Sequence, residues 1–191
     1  MISKVHEPTA APVVIHLLDH DRDRAAVSAL MLACGDYTGM MRGTRPDPAD
    51  ADDFLLAAPP GRTARSVRKL GAFLPYGGNK EPEATSADGS ALAAIADVVP
   101  NHPKARTWFV GLLLVHPDWR GRGVGMQFCD HIQTSARDAG AERLELLVLE
   151  ENERARRFWA RLGFVVTGRR EPIRIGERWH GRYEMEKAVT A

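Results

Sequence analysis

Val115-His116-Pro117-Asp118-Trp119-Arg120-Gly121-Arg122-Gly123-Val124-Gly125 runs from the end of an apolar stretch, through a glycine-rich turn, into a segment with helical spacing. The first turn of a helix leaves its leading backbone N–H groups without intrahelical partners and carries roughly half a positive elementary charge. An anion placed there meets donors that the fold has to expose anyway. Gly121, Gly123 and Gly125 present no Cβ to an approaching diphosphate, while Arg120 and Arg122 add charge and forked donors. The stretch reads as a pyrophosphate cradle made by the backbone of Arg120, Gly121, Arg122, Gly123, Val124, Gly125 and Met126.

Two familiar phosphate loops do not fit. The Walker pattern needs Gly-Lys followed by Ser or Thr, and no Gly-Lys pair occurs in the chain. The dinucleotide fingerprint needs Gly-x-Gly-x-x-Gly, and counting from Gly121 puts Met126 at the last glycine. What remains is Arg-x-x-Gly-x-Gly at Arg120, Gly123 and Gly125. Further along stands a second block, Asn152-Glu153-Arg154-Ala155-Arg156-Arg157-Phe158-Trp159-Ala160-Arg161-Leu162-Gly163-Phe164. In order, spacing and flanking strands the two blocks resemble the GNAT superfamily of acyl-CoA-dependent N-acetyltransferases, and the resemblance runs from about Ala91 to Phe164.

The resemblance implies an α/β (α+β) fold: a mixed, mostly antiparallel sheet of six to seven strands, about four flanking helices, and a splay between the fourth and fifth strands. It implies acetyl-CoA as cosubstrate, no metal, and transfer of the acetyl group to a primary amine. Leu113, Leu114 and Val115 would pair with pantetheine in the splay, and the Leu114 backbone N–H would face the thioester oxygen. Asn152, Ala155, Phe158 and Trp159 would flank the cofactor on its other side. One position departs from the family pattern. Many members carry a tyrosine after the Phe158 position as acid for the leaving thiolate, and here that place is Trp159, whose indole N–H has no useful acidity. Tyr183, Tyr76 or water would have to serve, or the thiolate leaves unprotonated.

Composition bounds the rest. With 191 residues, 44% of them hydrophobic, the chain is sized for one domain over 1–191. Its 26 basic and 25 acidic residues create no field of one sign, which argues against nucleic acid or a membrane surface as partner. No run has the length of a signal peptide core or a membrane span, so a soluble, cytoplasmic protein is expected, as monomer or homodimer. Cys34 and Cys129 stand singly on expected helix faces, as buried free thiols would.

Periodicity predicts a loose tail over 1–11, a buried first strand from Pro12 to Leu18, and a helix capped by Asp21 and stopped at Gly35. A short helix from Pro48 to Ala57 follows, then strands Ser66–Tyr76 and Ala91–Val99 around a mobile polar loop over 77–90. Thr107–Val115 reads as a central strand, with the next helix running from Val124 to Ala139. Strand Arg143–Glu150, a helix capped by Asn152, and a closing pair, Phe164–Arg170 and Arg182–Lys187, around a turn with Pro172 and Gly176 complete the chain.

A base is the least legible part. A lysine-like amine lies about 3.4 units from neutrality at pH 7, roughly 4.6 kcal/mol, whereas an α-amine costs only about 1 to 1.4 kcal/mol. Candidate bases are His116, directly after the pantetheine-pairing strand, Glu150 at the end of the fifth strand, Asp97 inside an apolar strand, and His102 and Glu151. Arg156 and Arg157 either reach the 3′-phosphate of CoA or form a solvated helix face. A cavity roofed by Asp36, Tyr37 and Met40 would favour a small-molecule amine, and an open groove a peptide. A CoA-binding module without turnover is the remaining alternative.

Overall fold

The computed structural model describes residues 13–75 and 89–189. The expected tail over 1–11, Tyr76 and most of the polar loop expected over 77–90 lie outside those residues. The seven strands are β1 (Val14–Leu17), β2 (Arg68–Leu74), β3 (Ala91–Val99), β4 (Thr107–Val115), β5 (Arg143–Leu149), β6 (Val165–Ile175) and β7 (Arg178–Ala188). The helices are α1 (His20–Ala33), α2 (Gly35–Arg42), α3 (Asp50–Leu56), α4 (Val124–Asp138) and α5 (Glu153–Arg161). One sheet holds all seven strands in the order β1-β2-β3-β4-β5-β7-β6, antiparallel throughout except for β4 against β5. A parallel neighbour needs a crossover, and α4 supplies it.

Two apolar layers enclose the sheet. On one face α4 and α5 lay Val124, Phe128, Ile132 and Trp159 on Trp108, Val110, Leu144, Leu146 and Met185. On the other, α1 and α3 pack Val27, Leu30, Phe54 and Leu55 against Phe73, Leu92, Ile95 and Leu114. The i, i+4, i+8 spacing of Val124, Phe128 and Ile132 explains why α4 buries that stripe almost completely. No helix among the described residues is long and apolar enough to cross a membrane.

The feature that shapes the centre of the molecule is a break in the β4–β5 ladder. The two strands pair from Thr107↔Arg143 to Val110↔Leu146 and no further. At that same point β4 carries an extra residue: β3 pairs Val98 with Val110 and Asp97 with Leu112, so Gly111 has no partner. Such a bulge adds twist and turns a strand away from its neighbour. It also shifts the alternation of side chains. Trp108 and Val110 face the α4–α5 layer before it, and Leu113 and Val115 face that layer after it.

The described residues form five α-helices, in keeping with the expected fold, and α2 is the one that the sequence did not mark. α2 is poor in helix formers, with Gly35, Asp36, Thr38 and Gly39 in its eight residues, and so left no periodic signal. Several expectations are corrected. Gly35 opens α2 instead of ending α1, and Cys34 sits at the junction of the two helices rather than on a helix face. The cap of α1 is Asp19, not Asp21: its carboxylate accepts from the amides of Asp21 and Arg22 at 3.1 and 3.0 Å. β1 is an edge strand with Val14 and Leu17 about 60% exposed, not a buried one. The closing hairpin is longer than expected and Pro172 lies inside β6, where an edge strand with a register shift between Arg170 and Ile173 tolerates a residue without an N–H. Cys34 and Cys129 are both free and buried.

Candidate functional site

Where β4 leaves β5 a cavity of about 920 Å³ opens. Leu113, Leu114 and Val115 form one wall, with a strand edge that β5 does not pair. Gly121, Gly123, Gly125 and Met126 close one end. Gly123 is the N-cap of α4 in the left-handed region, φ 82°, and no side chain caps that end. Gly121 also has positive φ, 75°. The leading amides of α4 therefore meet the cavity without a capping side chain among the described residues, which is an anion site by geometry and by helix dipole. Gly125 is required for closeness: a Cβ there would come 3.3 Å from the Phe158 ring and 3.5 Å from Val115 Cγ2.

α5 forms the opposite wall. The Asn152 side-chain oxygen accepts from the Ala155 amide at 3.0 Å, and Ala155, Phe158, Trp159 and Leu162 face inward. Trp159 is 7% exposed and makes edge contacts to Phe158 and Phe164, so it serves as wall and core at once. Arg154 and Arg161, at i and i+7 around Phe158, also line the cavity. These two were missed in the sequence, although their spacing with Phe158 placed them on its stripe. Arg156 and Arg157 point elsewhere: Arg156 lies over the Tyr183 ring and Arg157 pairs with Glu153 at 3.3 Å.

The roof comes from α2, whose Asp36, Tyr37 and Met40 line the cavity. Burial pushes the Tyr37 phenol above its usual value. Arg120 differs from its expected role. Its Nε donates to the Val115 carbonyl at 2.8 Å, and its Nη1 and Nη2 take both oxygens of Asp36 at 2.5 and 3.0 Å. The charge is spent on the protein, and the guanidinium holds the Asp36 carboxyl below the usual carboxylate range. Arg122 stacks on Trp119 and does not line the cavity, and the Val124 side chain is in the core, leaving only its backbone to the cradle.

The candidate bases separate clearly. Glu150 and Glu151 line the cavity; His116, Asp97 and His102 do not. The His116 ring accepts the Asp118 amide through Nδ1 at 3.3 Å and so caps the turn over Pro117–Trp119. Asp97 pairs with Lys69 at 2.9 Å under α3, and His102 packs edge-on against Phe109. Glu150 is held by Arg169 through Nε at 2.8 Å and Nη2 at 2.7 Å. Glu151 bonds His180 Nδ1, and His180 Nε2 donates to the Met41 carbonyl at 2.7 Å. Tyr183 lies between Arg156 and Arg169, away from the cavity lining.

Comparison with known proteins follows the same lines. Residues 76–164 match the family model described as the acetyltransferase (GNAT) family. An uncharacterized N-acetyltransferase of Mycobacterium bovis is 34% identical over 78 residues, 41% of this chain and 49% of that protein. The 5-NmdU N-acetyltransferase of Pseudomonas phage PaMx11 is 38% identical over 66 residues, 35% of this chain and 43% of that protein. The chain thus spans about half the length of the curated relatives it matches. In fold, it superposes on a GNAT-family acetyltransferase from Streptococcus pneumoniae over 94% of this chain and 100% of the other, with a TM-score of 0.63 at 18% identity.

Proposed function

We propose, from the match of residues 76–164 to the acetyltransferase (GNAT) family model and from the shared fold, that this chain moves an acetyl group from acetyl-CoA to a primary amine of a small molecule by direct attack in a ternary complex. One observation carries the reading: a single cavity joins an unpaired strand edge at Leu113–Val115 to the uncapped start of α4. The amides of Gly121 to Met126 would hold the diphosphate, with Arg154 and Arg161, which line the cavity, placed to meet a further phosphate. Pantetheine would extend β4 as a strand in the place β5 vacates. A backbone N–H on that edge, that of Leu114 in our assignment, would take the developing oxyanion, an effect worth about two to three decades in rate.

The amine approaches under α2. The roof formed by Asp36, Tyr37 and Met40 supports a small molecule over an extended peptide. Glu150 and Glu151 are the candidates that reach the cavity, so the base is assigned to that pair in preference to His116 or Asp97. The amine, once neutral, attacks the thioester carbon; the C–S bond breaks; CoA leaves as thiolate. Tyr37, in the roof of the same cavity, would hydrogen-bond that sulfur in place of the tyrosine that Trp159 displaces, and the thiolate would take its proton from solvent.

Titration calorimetry with CoA and acetyl-CoA, followed by thiol release across a panel of α-amines, diamines and short peptides, tests the reading. The expected result is binding of both nucleotides and turnover with small amines. Absence of heat with either would refute it, and binding without turnover would favour the non-catalytic module.

A further inference from the structure

We infer that Arg120 is a positioning residue that ties the roof over the amine to the cradle beneath the diphosphate, so that occupancy of the cradle sets where α2 stands. The inference rests on the assignment of the cavity to CoA. Arg120 is the residue before Gly121 and so belongs to the cradle by its backbone, and its side chain, 18% exposed, is committed to protein partners. One guanidinium reaches three places: the Val115 carbonyl at the end of β4, both Asp36 oxygens in the first turn of α2, and Cys34 Sγ at 3.5 Å at the α1–α2 junction.

α2 has little means of fixing its own position. It is eight residues long, contains two glycines and has no side-chain N-cap, and so short a helix is not stable by itself. Its place depends on what grips its ends. The C-terminal end is held by the β6–β7 hairpin, where the Glu177 amide donates to the Arg42 carbonyl at 3.1 Å and His180 donates to the Met41 carbonyl. The N-terminal end is gripped by Arg120 alone among the described side-chain bonds to Asp36. The two ends differ in kind, because the hairpin stands apart from the cradle while Arg120 is part of it.

The cradle turns on glycines with positive φ at Gly121 and Gly123, which leave it free to shift until an anion fixes its amides. A diphosphate bound there would fix the backbone of Arg120, and the planar fork would pass that constraint to Asp36 and hence to Tyr37 and Met40. Coupling of this sort is reciprocal: whatever CoA does to the roof, an amine under the roof does to CoA.

Hydrogen exchange of the segment Gly35–Arg42, with and without saturating CoA, reads this directly. In the parent protein CoA should slow exchange of that segment at least about fivefold, the lower end of measured coupling between sites. In Asp36→Asn, a change at an exposed carboxyl, CoA affinity should stay within about fivefold of the parent, as expected for loss of an ion pair whose acidic side is open to solvent. The CoA-dependent slowing should vanish. The slowing should vanish in Arg120→Gln too, whatever that variant's CoA affinity, and Asp36→Glu should recover part of the effect. A merely structural role would speed exchange equally in both states and leave the CoA-dependent difference intact. CoA binding with no change over Gly35–Arg42 in the parent, or full slowing in Asp36→Asn, overturns the inference and spares the enzymatic reading; no CoA binding at all overturns both.

Discussion

Gly123 concentrates the demands of the cradle on one position. Its φ of 82° is a conformation that costs an L-residue about 1 to 2 kcal/mol. Its lack of a side chain keeps the α4 amides open to the cavity. Gly123→Asp therefore adds strain, bulk and like charge at the anion site, and calorimetry should detect no CoA binding to a protein that is still folded by circular dichroism. Cys34 gives a prediction of another kind. Burial pushes its thiol up to about 11. A raised value means the neutral form persists as pH rises, so at pH 8 only about one thiol in a thousand is ionised, against roughly one in four for an ordinary cysteine. Alkylation of Cys34 in the native protein should be slower than that of free cysteine by at least about two decades, and should accelerate only as pH climbs toward that value. Rapid modification at pH 8 would contradict the packing of α1 and α2 around it. At this scale the sequence was readable where chemistry is local, as with the cradle glycines. It named Arg120 and Asp36 separately, as cradle and roof, and was silent on their pairing, which joins two segments 84 residues apart.

Among the elements, β3 and β4 match their expected bounds residue for residue, because each is an apolar run closed by polar or proline-containing turns. α2 escaped for the opposite reason, having neither periodicity nor a cap. The bulge in β4 was hidden by the same apolarity that revealed the strand: with leucine or valine on both faces, a change of phase at Gly111 leaves no mark in composition. α5 supplies the element-scale prediction. Trp159 bridges Phe158, which touches the cradle, and Phe164, which begins the return to the sheet. Trp159→Ala should cost about 3 to 5 kcal/mol in urea denaturation, as for other large core truncations. Trp159→Phe keeps most of the packing and should retain more acetyl transfer than Gly123→Asp; equal loss in the two would show that the indole itself takes part.

Across the whole molecule, the sheet is nearly two sheets. Strands β1 to β4 and strands β5 to β7 share only the ladder from Thr107–Arg143 to Val110–Leu146 and the layers packed on it. A ligand in the gap would bond both halves and none of the unfolded chain. At one hundred times its dissociation constant CoA should then add about 2.7 kcal/mol, a rise in melting temperature of about 5–11 °C for a chain of this size. No shift in a thermal scan would argue that the gap stays empty. Gly111 has one more effect. Because it sets the two ends of β4 half a repeat apart, losing or gaining a single residue within Thr107–Val115 would swap which leucines meet which layer. Insertion scanning should therefore find β4 intolerant of any altered chain length even where it accepts altered residue identity.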